Sequence, residues 1–283
     1  MTDNHASPWE QAVQWLLEQP DKSELVRESY FDSPLLAAAQ RYWGSGEWNE
    51  IRNWLPRSGG KALDVGSGRG IAAFALAKEG FAVTALEPDP SALVGADAIR
   101  SLAAAARLNI SVIQEFSERL PFPDCEFDVL FARAVLHHTS NLEAACREMF
   151  RVLKPRGRFV AVREHVISRP GDLELFLGLH PLHGRYGGEN AYLLKYYVSA
   201  ITQAGFRLDR VIRPLESAIN FAPFTLATLK REIAARSARV IPGSGRVVEF
   251  LLGVPGMWPL IRPLCGWFDH RPGRLYSFVA AKP

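Results

Sequence analysis

A glycine-rich turn at Asp64 and an acidic residue at Glu87 are the parts of this 283-residue sequence whose spacing first indicates chemistry. The turn reads Asp64-Val-Gly-Ser-Gly-Arg-Gly70, so its glycines are spaced G-x-G-x-G and not G-x-G-x-x-G as in dinucleotide-binding proteins. Such a turn lets backbone approach a ligand, and the helix after it offers unpaired N–H groups. Asp64 would repel a pyrophosphate but suits an amine, and Glu87, 19 residues after Gly68, can accept hydrogen bonds from ribose hydroxyls. A ligand with a ribose and an ammonium group but no phosphate is S-adenosylmethionine.

Both features directly follow strands in a region where short apolar strands alternate with helices. Strands are predicted at 61–65, 81–86, 110–114, 127–132, 157–163, 206–212 and 275–280, and helices at 70–79, 90–107, 141–153 and 188–204. This alternation predicts an α/β fold with a mostly parallel sheet that is covered by helices on both faces. Ligands of such sheets bind beyond the carboxyl ends of the strands, where Asp64 and Glu87 lie.

Five motifs of this region resemble those of the class I S-adenosylmethionine-dependent methyltransferases in order and separation. They are Asp64-Val-Gly-Ser-Gly-Arg-Gly70, Glu87-Pro-Asp89, Leu120-Pro-Phe-Pro-Asp124, Phe127-Asp-Val-Leu-Phe131 with Leu136-His-His138, and Leu153-Lys-Pro-Arg-Gly157. The resemblance covers about residues 58–165. It implies a three-layer Rossmann-like sheet of about seven strands, with 206–212 and 275–280 as a terminal antiparallel pair.

The resemblance also implies S-adenosylmethionine as the cofactor and a set of residues that bind it. That set is Asp64, Gly66, Ser67, Gly68, Gly70, Glu87, Pro88, Phe116, Ser117 and Arg133. Family members often carry an acidic residue at the position of Phe116, where it bonds the adenine amino group. A phenylalanine there can stack on adenine but cannot bond its amine, so we expect Ser117, Glu115 or backbone to make that polar contact.

Histidines follow the fourth and fifth strands and occur in the Gly- and His-rich segment 180–192. A base near neutral pKa suits methyl transfer, because the acceptor must be aligned and a hydroxyl acceptor must lose its proton. The predicted catalytic candidates are His138, His165, His180 and His183. His137 and Glu164 adjoin two of them, and the alternative is that these side chains cap helices or bond backbone. No metal site is predicted, because His180, His183 and Glu189 match no standard zinc spacing.

The rest of the chain is predicted to form two helical additions to residues 58–212 and 274–283, the cofactor-binding domain. Residues 1–57 are an N-terminal helical cap, with a second helix starting at Ser33 as N-cap and Pro34 in its first position. Residues 213–273 are an inserted helical subdomain before the last strand. Residues 206–283 hold 12 Lys and Arg against 5 Asp and Glu, although the whole chain is only +3. The uncharged run within 250–268 could cap the site, form a homodimer contact or rest on an anionic membrane surface.

The resulting hypothesis is a cytoplasmic methyltransferase of a small-molecule, sugar or lipid-linked acceptor, with oxygen favoured as the acceptor atom. The insertion and the His-rich segment resemble methyltransferases of sugars or polyprenyl-linked glycans in bacterial cell-surface polysaccharide pathways. A quinone or lipid C-methyltransferase and a non-catalytic S-adenosylmethionine-binding protein are the alternatives. Nucleic acid is not expected as a partner, since no RNA-binding module is recognisable.

The cytoplasmic expectation depends on cysteine usage and hydropathy. The three cysteines form no C-x-x-C pair, the first eight residues lack the pattern of a signal peptide, and no apolar run is long enough to span a bilayer. The composition, 48% hydrophobic and 22% charged, excludes collagen-like, disordered and disulfide-stapled proteins.

Overall fold

The centre of the protein is one mixed sheet. A computed structural model describes residues 8–57, 59–269 and 271–283. The strands are β1 (Gly60–Val65), β2 (Phe81–Leu86), β3 (Ile110–Ile113), β4 (Phe127–Arg133), β5 (Leu153–Ile167), β6 (Tyr192–Leu193), β7 (Arg207–Ile212) and β8 (Arg274–Ala281). Their order is β3-β2-β1-β4-β5-β8-β7, and the two-residue β6 pairs with the end of β5. Strands β1 to β5 are parallel, and β8 lies antiparallel between β5 and β7. The predicted α/β fold and terminal antiparallel pair are confirmed.

Helices cover both faces of the sheet. They are α1 (Pro8–Leu17), α2 (Ser23–Glu28), α3 (Leu35–Trp43), α4 (Gly46–Ile51), α5 (Ile71–Lys78), α6 (Ala96–Ala106), α7 (Leu142–Val152), α8 (Asp172–Leu179), α9 (His183–Tyr186), α10 (Leu194–Gln203), α11 (Ala218–Phe221), α12 (Leu226–Val240), α13 (Ser244–Gly253) and α14 (Met257–Trp267). Side chains of successive strand residues point to opposite faces. Leu63 therefore packs in the core with Met149 of α7 and Tyr197 of α10, whereas Ala62 packs in the core with Tyr42 of α3 and Leu76 of α5.

Three predicted helix starts are corrected by the structure. Helix α3 begins at Leu35 with Pro34 as its N-cap, one residue later than predicted from Ser33, and the shorter α2 precedes it. Helix α6 begins at Ala96 and not at 90, because the chain first makes a hydrogen-bonded turn in which the Ala96 N–H donates to the Asp89 carbonyl. Helix α10 begins at Leu194 and not at 188, because β6 first pairs with β5.

The insertion between β7 and β8 is helical, as predicted, and has a small core of its own. Leu215, Leu229, Leu252 and Trp258 are buried together among α12, α13 and α14. Its outward side chains include large apolar residues. In the described ranges 8–57, 59–269 and 271–283, no helix is long and apolar enough to cross a membrane. The predicted domain boundaries stay a prediction.

A buried ion network joins the N-terminal helices to the sheet. Glu47 of α4, only 1% exposed, accepts hydrogen bonds from the Arg133 guanidinium, Nε to Oε1 at 2.7 Å and Nη2 to Oε2 at 3.1 Å. The Arg163 guanidinium lies 3.7 Å from the same carboxylate. Two cations, Arg133 at the end of β4 and Arg163 within β5, therefore share one anion.

We expect Glu47→Ala to destabilise the protein by about 3–5 kcal/mol, because it leaves buried guanidinium groups without their counter-charge. Urea unfolding followed by circular dichroism measures the change. The matched control is Asp97→Ala, which removes an ion pair with the half-exposed Arg100. Loss of this exposed pair should change the free energy of unfolding little. Equal destabilisation by the two variants would contradict the role of the buried network.

Candidate active site

A cavity of about 580 Å³ opens at the carboxyl ends of β1, β2, β4 and β5. This volume is within the range of small-molecule sites. The lining residues come from the glycine-rich turn, from the segments after β2, β3 and β4 (86–88, 115–118 and 133–140), from β5, and from residues within 9–31 and 180–189. The predicted edge of the sheet is therefore where the chain forms a site.

The glycine-rich turn forms one wall around a buried carboxylate. Gly66 has φ +61°, and a Cβ there would lie 2.7 Å from both methyl carbons of Val135, so only glycine fits. This turn brings the Ser67 hydroxyl to Asp64, where Oγ donates to Oδ2 at 2.5 Å. Asp64 Oδ1 is buried and has no hydrogen-bond partner among the described residues. An unpaired carboxylate oxygen at the cavity fits the ammonium group that the sequence predicts.

Glu87 is held in place by two backbone N–H groups. Gly68 donates to its Oε2 at 2.7 Å, and Asp89 donates to its Oε1 at 3.0 Å. Burial raises the pKa of Glu87 to about 7, against these hydrogen bonds, which lower it. Burial likewise raises the pKa of Asp64 to about 7. Both carboxyl groups can thus take up a proton just below neutral pH.

Nine of the ten predicted cofactor residues line this cavity. The exception is Gly70, which is the N-cap of α5 with φ +83° and packs against Ile99. Phe116 is 64% exposed at the rim, and the buried Ser117 beside it donates to Glu118 Oε2 at 3.1 Å. Arg133 lines the cavity too, but its guanidinium is committed to Glu47. The binding roles of these residues stay predictions.

Three of the four predicted catalytic histidines lie together in the same cavity and form its histidine wall. His138, His165 and His180 line the cavity with His137 and Glu189. His183 begins α9 and is not among the described residues that line the cavity. Residues on both sides of it, Leu182 and Tyr186, do line the cavity, and the role of His183 as a base stays a prediction.

Glu189 is the centre of this histidine cluster. Tyr186 donates to its Oε1 at 2.6 Å, and the same oxygen lies 3.4 Å from His138 Nε2 and 3.6 Å from His180 Nε2. Its other oxygen, Oε2, lies 3.8 Å from His137 Nε2. The composition of the sequence identified the segment that carries Glu189, but not that Glu189 lies at the centre of the histidine cluster.

A buried carboxylate fixes the orientation of His137. Glu164 is fully buried and accepts from the backbone N–H groups of Val135 at 3.1 Å and His137 at 3.2 Å. Its Oε2 is also 2.6 Å from His137 Nδ1. Because this carboxylate already accepts from two backbone donors, we assign the Nδ1 proton to His137, which leaves a lone pair on Nε2.

Burial lowers the pKa of three imidazoles of the cluster, those of His137, His165 and His180. It lowers the pKa of His165 to about 3 and places the pKa of His137 well below its usual value. It lowers the pKa of His180 as well, although the Glu189 carboxylate opposes this. These three imidazoles therefore favour the neutral form beside the Glu189 carboxylate.

Residues within 9–31, which belong to the predicted N-terminal helical cap, line the cavity. Trp9 packs on Tyr186 with ring centroids 4.7 Å apart, and Tyr30 and Phe31 are among the lining residues. Arg69 of the glycine-rich turn donates to the Tyr30 carbonyl at 2.9 Å, which ties this cover to the cofactor side. Nothing in the spacing of residues 9–31 distinguishes a cover from an ordinary packed helix.

The insertion does not cover the cavity. None of its described residues, 213–269 and 271–273, lines the site. The reading of 250–268 as a cap over the site is therefore corrected, because these residues pack on their own small core. The dimer and membrane-surface readings stay predictions.

Comparison with known proteins shows to which group this site belongs. Residues 63–161 match the family model described as a methyltransferase domain. The uncharacterized methyltransferase YcgJ of Bacillus subtilis is 32% identical over 118 residues, which are 39% of this chain and 43% of that protein. The ubiquinone/menaquinone biosynthesis C-methyltransferase UbiE of Pseudomonas putida is 31% identical over 154 residues, 51% of this chain and 59% of that protein. The chain carries a class I S-adenosylmethionine-dependent methyltransferase domain.

Solved structures of methyltransferases share the fold. Geranyl diphosphate C-methyltransferase from Streptomyces coelicolor A3(2) has a TM-score of 0.58 at 15% identity, covering 95% of this chain and 87% of that one. The YcgJ structure has a TM-score of 0.55 at 18% identity, with 84% of this chain and 97% of that one. This chain spans about half the length of the curated relatives that it matches.

The methyltransferase cofactor, S-adenosylmethionine, fits the residues of the glycine-rich wall. The unpaired Asp64 Oδ1 can accept from an ammonium group, and the glycine turn leaves space for the ligand. Glu87 is held by two backbone N–H groups, and it would accept hydrogen bonds from the ribose hydroxyls, as the sequence predicts.

We expect the affinity of this methyltransferase for S-adenosylmethionine to rise as the pH rises from about 5.5 to 7.5. The cationic cofactor binds best to ionised carboxylates. Because the pKa values of Asp64 and Glu87 are raised to about 7, these groups are protonated below that pH and must lose their protons when the cofactor binds. The cofactor's amino group stays charged up to about pH 7.7. Calorimetry over this range, in buffers of different ionisation enthalpy, measures affinity and proton release.

Asp64→Asn is the matched control for this pH dependence. It removes one ionisable group with little change of shape, so affinity should fall and its pH dependence should flatten. An unchanged affinity of the wild-type protein from pH 5.5 to 7.5 would count against the carboxylates as cofactor ligands.

Proposed function

We propose that the protein transfers a methyl group from S-adenosylmethionine to a hydroxyl oxygen of a small-molecule acceptor. The observation that carries this proposal is the shared cavity, which is lined both by Asp64 and Glu87 and by the histidine cluster around Glu189. When bound, the cofactor supplies an electrophilic methyl carbon on a sulfonium. The chain must then hold the acceptor oxygen and accept its proton.

His138 is the side chain best placed to accept that proton. Its Nδ1 lies 3.0 Å from the Gly188 carbonyl, which can only accept, so Nδ1 carries the proton of the neutral ring. The lone pair is then on Nε2, 3.4 Å from Glu189 Oε1. When Nε2 takes a proton, Glu189 stabilises the resulting cation.

His180 is oriented to donate instead. The Leu182 N–H donates to its Nδ1 at 3.4 Å, so the proton of the neutral ring is on Nε2, on the side of Glu189. The His180 N–H, which lies beside the base His138, can donate a hydrogen bond to a lone pair of the substrate hydroxyl oxygen. Together, His138 and His180 suit a substrate hydroxyl group, which donates a hydrogen bond to one of them and accepts a hydrogen bond from the other.

The acceptor class that this cavity favours is amphipathic. The histidine cluster is polar, whereas Trp9, Leu16, Leu25 and Phe31 supply apolar side chains to the N-terminal cover. A sugar or lipid-linked hydroxyl compound has both kinds of surface. The similarity to UbiE keeps C-methylation of a quinone as the second candidate function. The apolar ring of a quinone would then pack against the same N-terminal side chains.

A labelled-methyl screen across sugars, lipid-linked sugars and quinones tests the proposal. Products that carry the label on oxygen support it, and exclusive carbon labelling of a quinone would establish the second candidate. Cofactor binding without transfer to any of these classes would favour a non-catalytic binding protein.

With an acceptor in hand, we expect His138→Ala to lower turnover about 10²- to 10⁴-fold, because a positioned proton acceptor contributes about that much. S-adenosylmethionine affinity should stay unchanged, since His138 is on the other wall. The comparison variant is His183→Ala, which removes a histidine of the same segment that does not line the cavity. A larger loss from His183→Ala than from His138→Ala would contradict this assignment.

We further propose that the insertion rests on an anionic lipid surface in a cytoplasmic setting. Its exposed apolar residues include Phe250, Leu260, Trp267 and Phe268, which are 70–73% exposed. Exposed arginines of α12 and α13, namely Arg231, Arg236, Arg239 and Arg246, lie in the same subdomain. Apolar side chains next to basic ones are complementary to an interface with anionic headgroups.

We expect the protein to co-sediment with vesicles that contain anionic lipid and to be released in part by high salt. The double variant Trp267→Ser/Phe268→Ser should bind less, whereas Leu175→Ser, an exposed leucine of α8 outside the insertion, should not. The protein could instead self-associate independently of salt, and Trp267→Ser/Phe268→Ser could abolish that association. This result would show that the insertion contacts a second copy of the chain and not a lipid surface.

A further inference from the structure

Three side chains with metal-binding atoms converge on the histidine wall. His137 follows β4, His165 lies in β5, and Glu189 lies in the segment before β6. One ligand atom of each lies within 4.8 Å of the other two. Because the three come from separate parts of the chain, their sequence spacing matches no standard metal pattern.

Two of these side chains have buried atoms that the protein leaves without a hydrogen bond. Glu189 Oε2 and His165 Nδ1 are both inaccessible and have no partner among the described residues. An unsatisfied buried carboxylate oxygen is costly, and such an atom calls for a specific explanation. The other oxygen of Glu189 is already paired with the Tyr186 hydroxyl, so only Oε2 is left to take a further ligand.

His137 presents a lone pair toward the same point. Its Nδ1 proton is held by Glu164, so Nε2 and Glu189 Oε2 are two electron-rich atoms 3.8 Å apart. Two such atoms repel each other unless a cation lies between them. A carboxylate bonded to the far nitrogen of a histidine is also the arrangement that orients metal-binding histidines in proteins.

We propose that His137 Nε2, a ring nitrogen of His165 and Glu189 Oε2 bind one divalent transition-metal ion of the Zn²⁺, Co²⁺ or Fe²⁺ class. Two imidazoles and one carboxylate are ligands that these ions share, whereas Mg²⁺ and Ca²⁺ prefer oxygen alone. Ligand atoms around such an ion lie about 3.4 Å apart, so the three side chains must draw in by roughly 1 Å. Phe176, whose ring centroid is 4.9 Å from that of His165, gives the site an apolar border.

The proposed ion would also define the acceptor further, and this step rests on the proposed function. All three ligands line the cavity, so the open coordination positions face it. There they can take an acceptor hydroxyl oxygen, alone or with a neighbouring oxygen of the same molecule. A bound hydroxyl loses its proton more readily, and His138 is beside it to receive that proton. The predicted acceptor is therefore one with two adjacent oxygens.

Metal titration of the chelator-treated, full-length protein tests the site without cofactor or acceptor. Zn²⁺ is titrated by calorimetry, and Co²⁺ by its visible absorption, which reports nitrogen and carboxylate ligands at a site of low coordination number. We expect about one equivalent to bind and the melting temperature to rise with metal. Binding that is not saturable near one equivalent would overturn the proposal.

Conservative variants assign the ligands. Glu189→Gln should abolish the Co²⁺ spectrum, and Glu164→Gln, which keeps the ligands but alters the orientation of His137, should weaken binding about 10- to 100-fold. The matched control is Glu174→Gln, an exposed glutamate of α8 that should leave binding unchanged. Circular dichroism verifies that each variant folds. Wild-type metal affinity in folded Glu189→Gln would sink the proposal.

The same samples separate this inference from the proposed function. Cofactor affinity is measured in parallel with and without Zn²⁺. Cofactor binding and methyl transfer that persist in chelated protein, with no metal binding, would remove the metal site but leave the function. Stoichiometric metal binding without methyl transfer to any acceptor would support the metal site and remove the function.

Discussion

The carboxylate of Glu164 is the contact on which the histidine cluster of the cavity depends. It is fully buried at the end of β5 and accepts from two backbone N–H groups of the turn after β4. The same carboxylate holds the His137 ring. Its burial raises its pKa to about 7, so these hydrogen bonds are what makes an anion tolerable there. One side chain thereby fixes both a backbone turn and the direction of an imidazole.

The N-terminal cover and the histidine cluster are coupled through Tyr186. Its hydroxyl donates to Glu189, and its ring packs on Trp9 of α1. Leu182, in the same segment, shares a buried apolar cluster with Val13 and Leu16 of α1. Movement of α1 would therefore withdraw packing from the residues that support Glu189. The cover and the polar wall act as one unit, so loss of packing at Trp9 would also loosen the cluster.

The sheet and the cofactor side could be predicted from sequence because they follow local rules. Asp64 and Glu87 come directly after strands, and the carboxyl ends of neighbouring parallel strands must meet at one edge. Helix starts were less predictable, as at Ala96, where a turn closed by the Asp89 carbonyl overrides the Ala-rich pattern. The residue types alone do not show whether a hydrogen-bonded turn or the first turn of a helix forms at such a position.

The histidine cluster could be predicted only in part, because its geometry depends on chain segments that leave the sheet. His138 and His165 adjoin strands and were found, whereas the segment 180–192 is positioned by packing against α1 and by the two-residue β6. Its composition identified it as unusual but could not tell His180, which reaches the cavity, from His183, which does not. Glu189 becomes central only once three distant segments are folded together. If acceptor choice is set here, it depends on tertiary packing that varies without altering the cofactor motifs, and the methyl donor is then far easier to recognise than the acceptor.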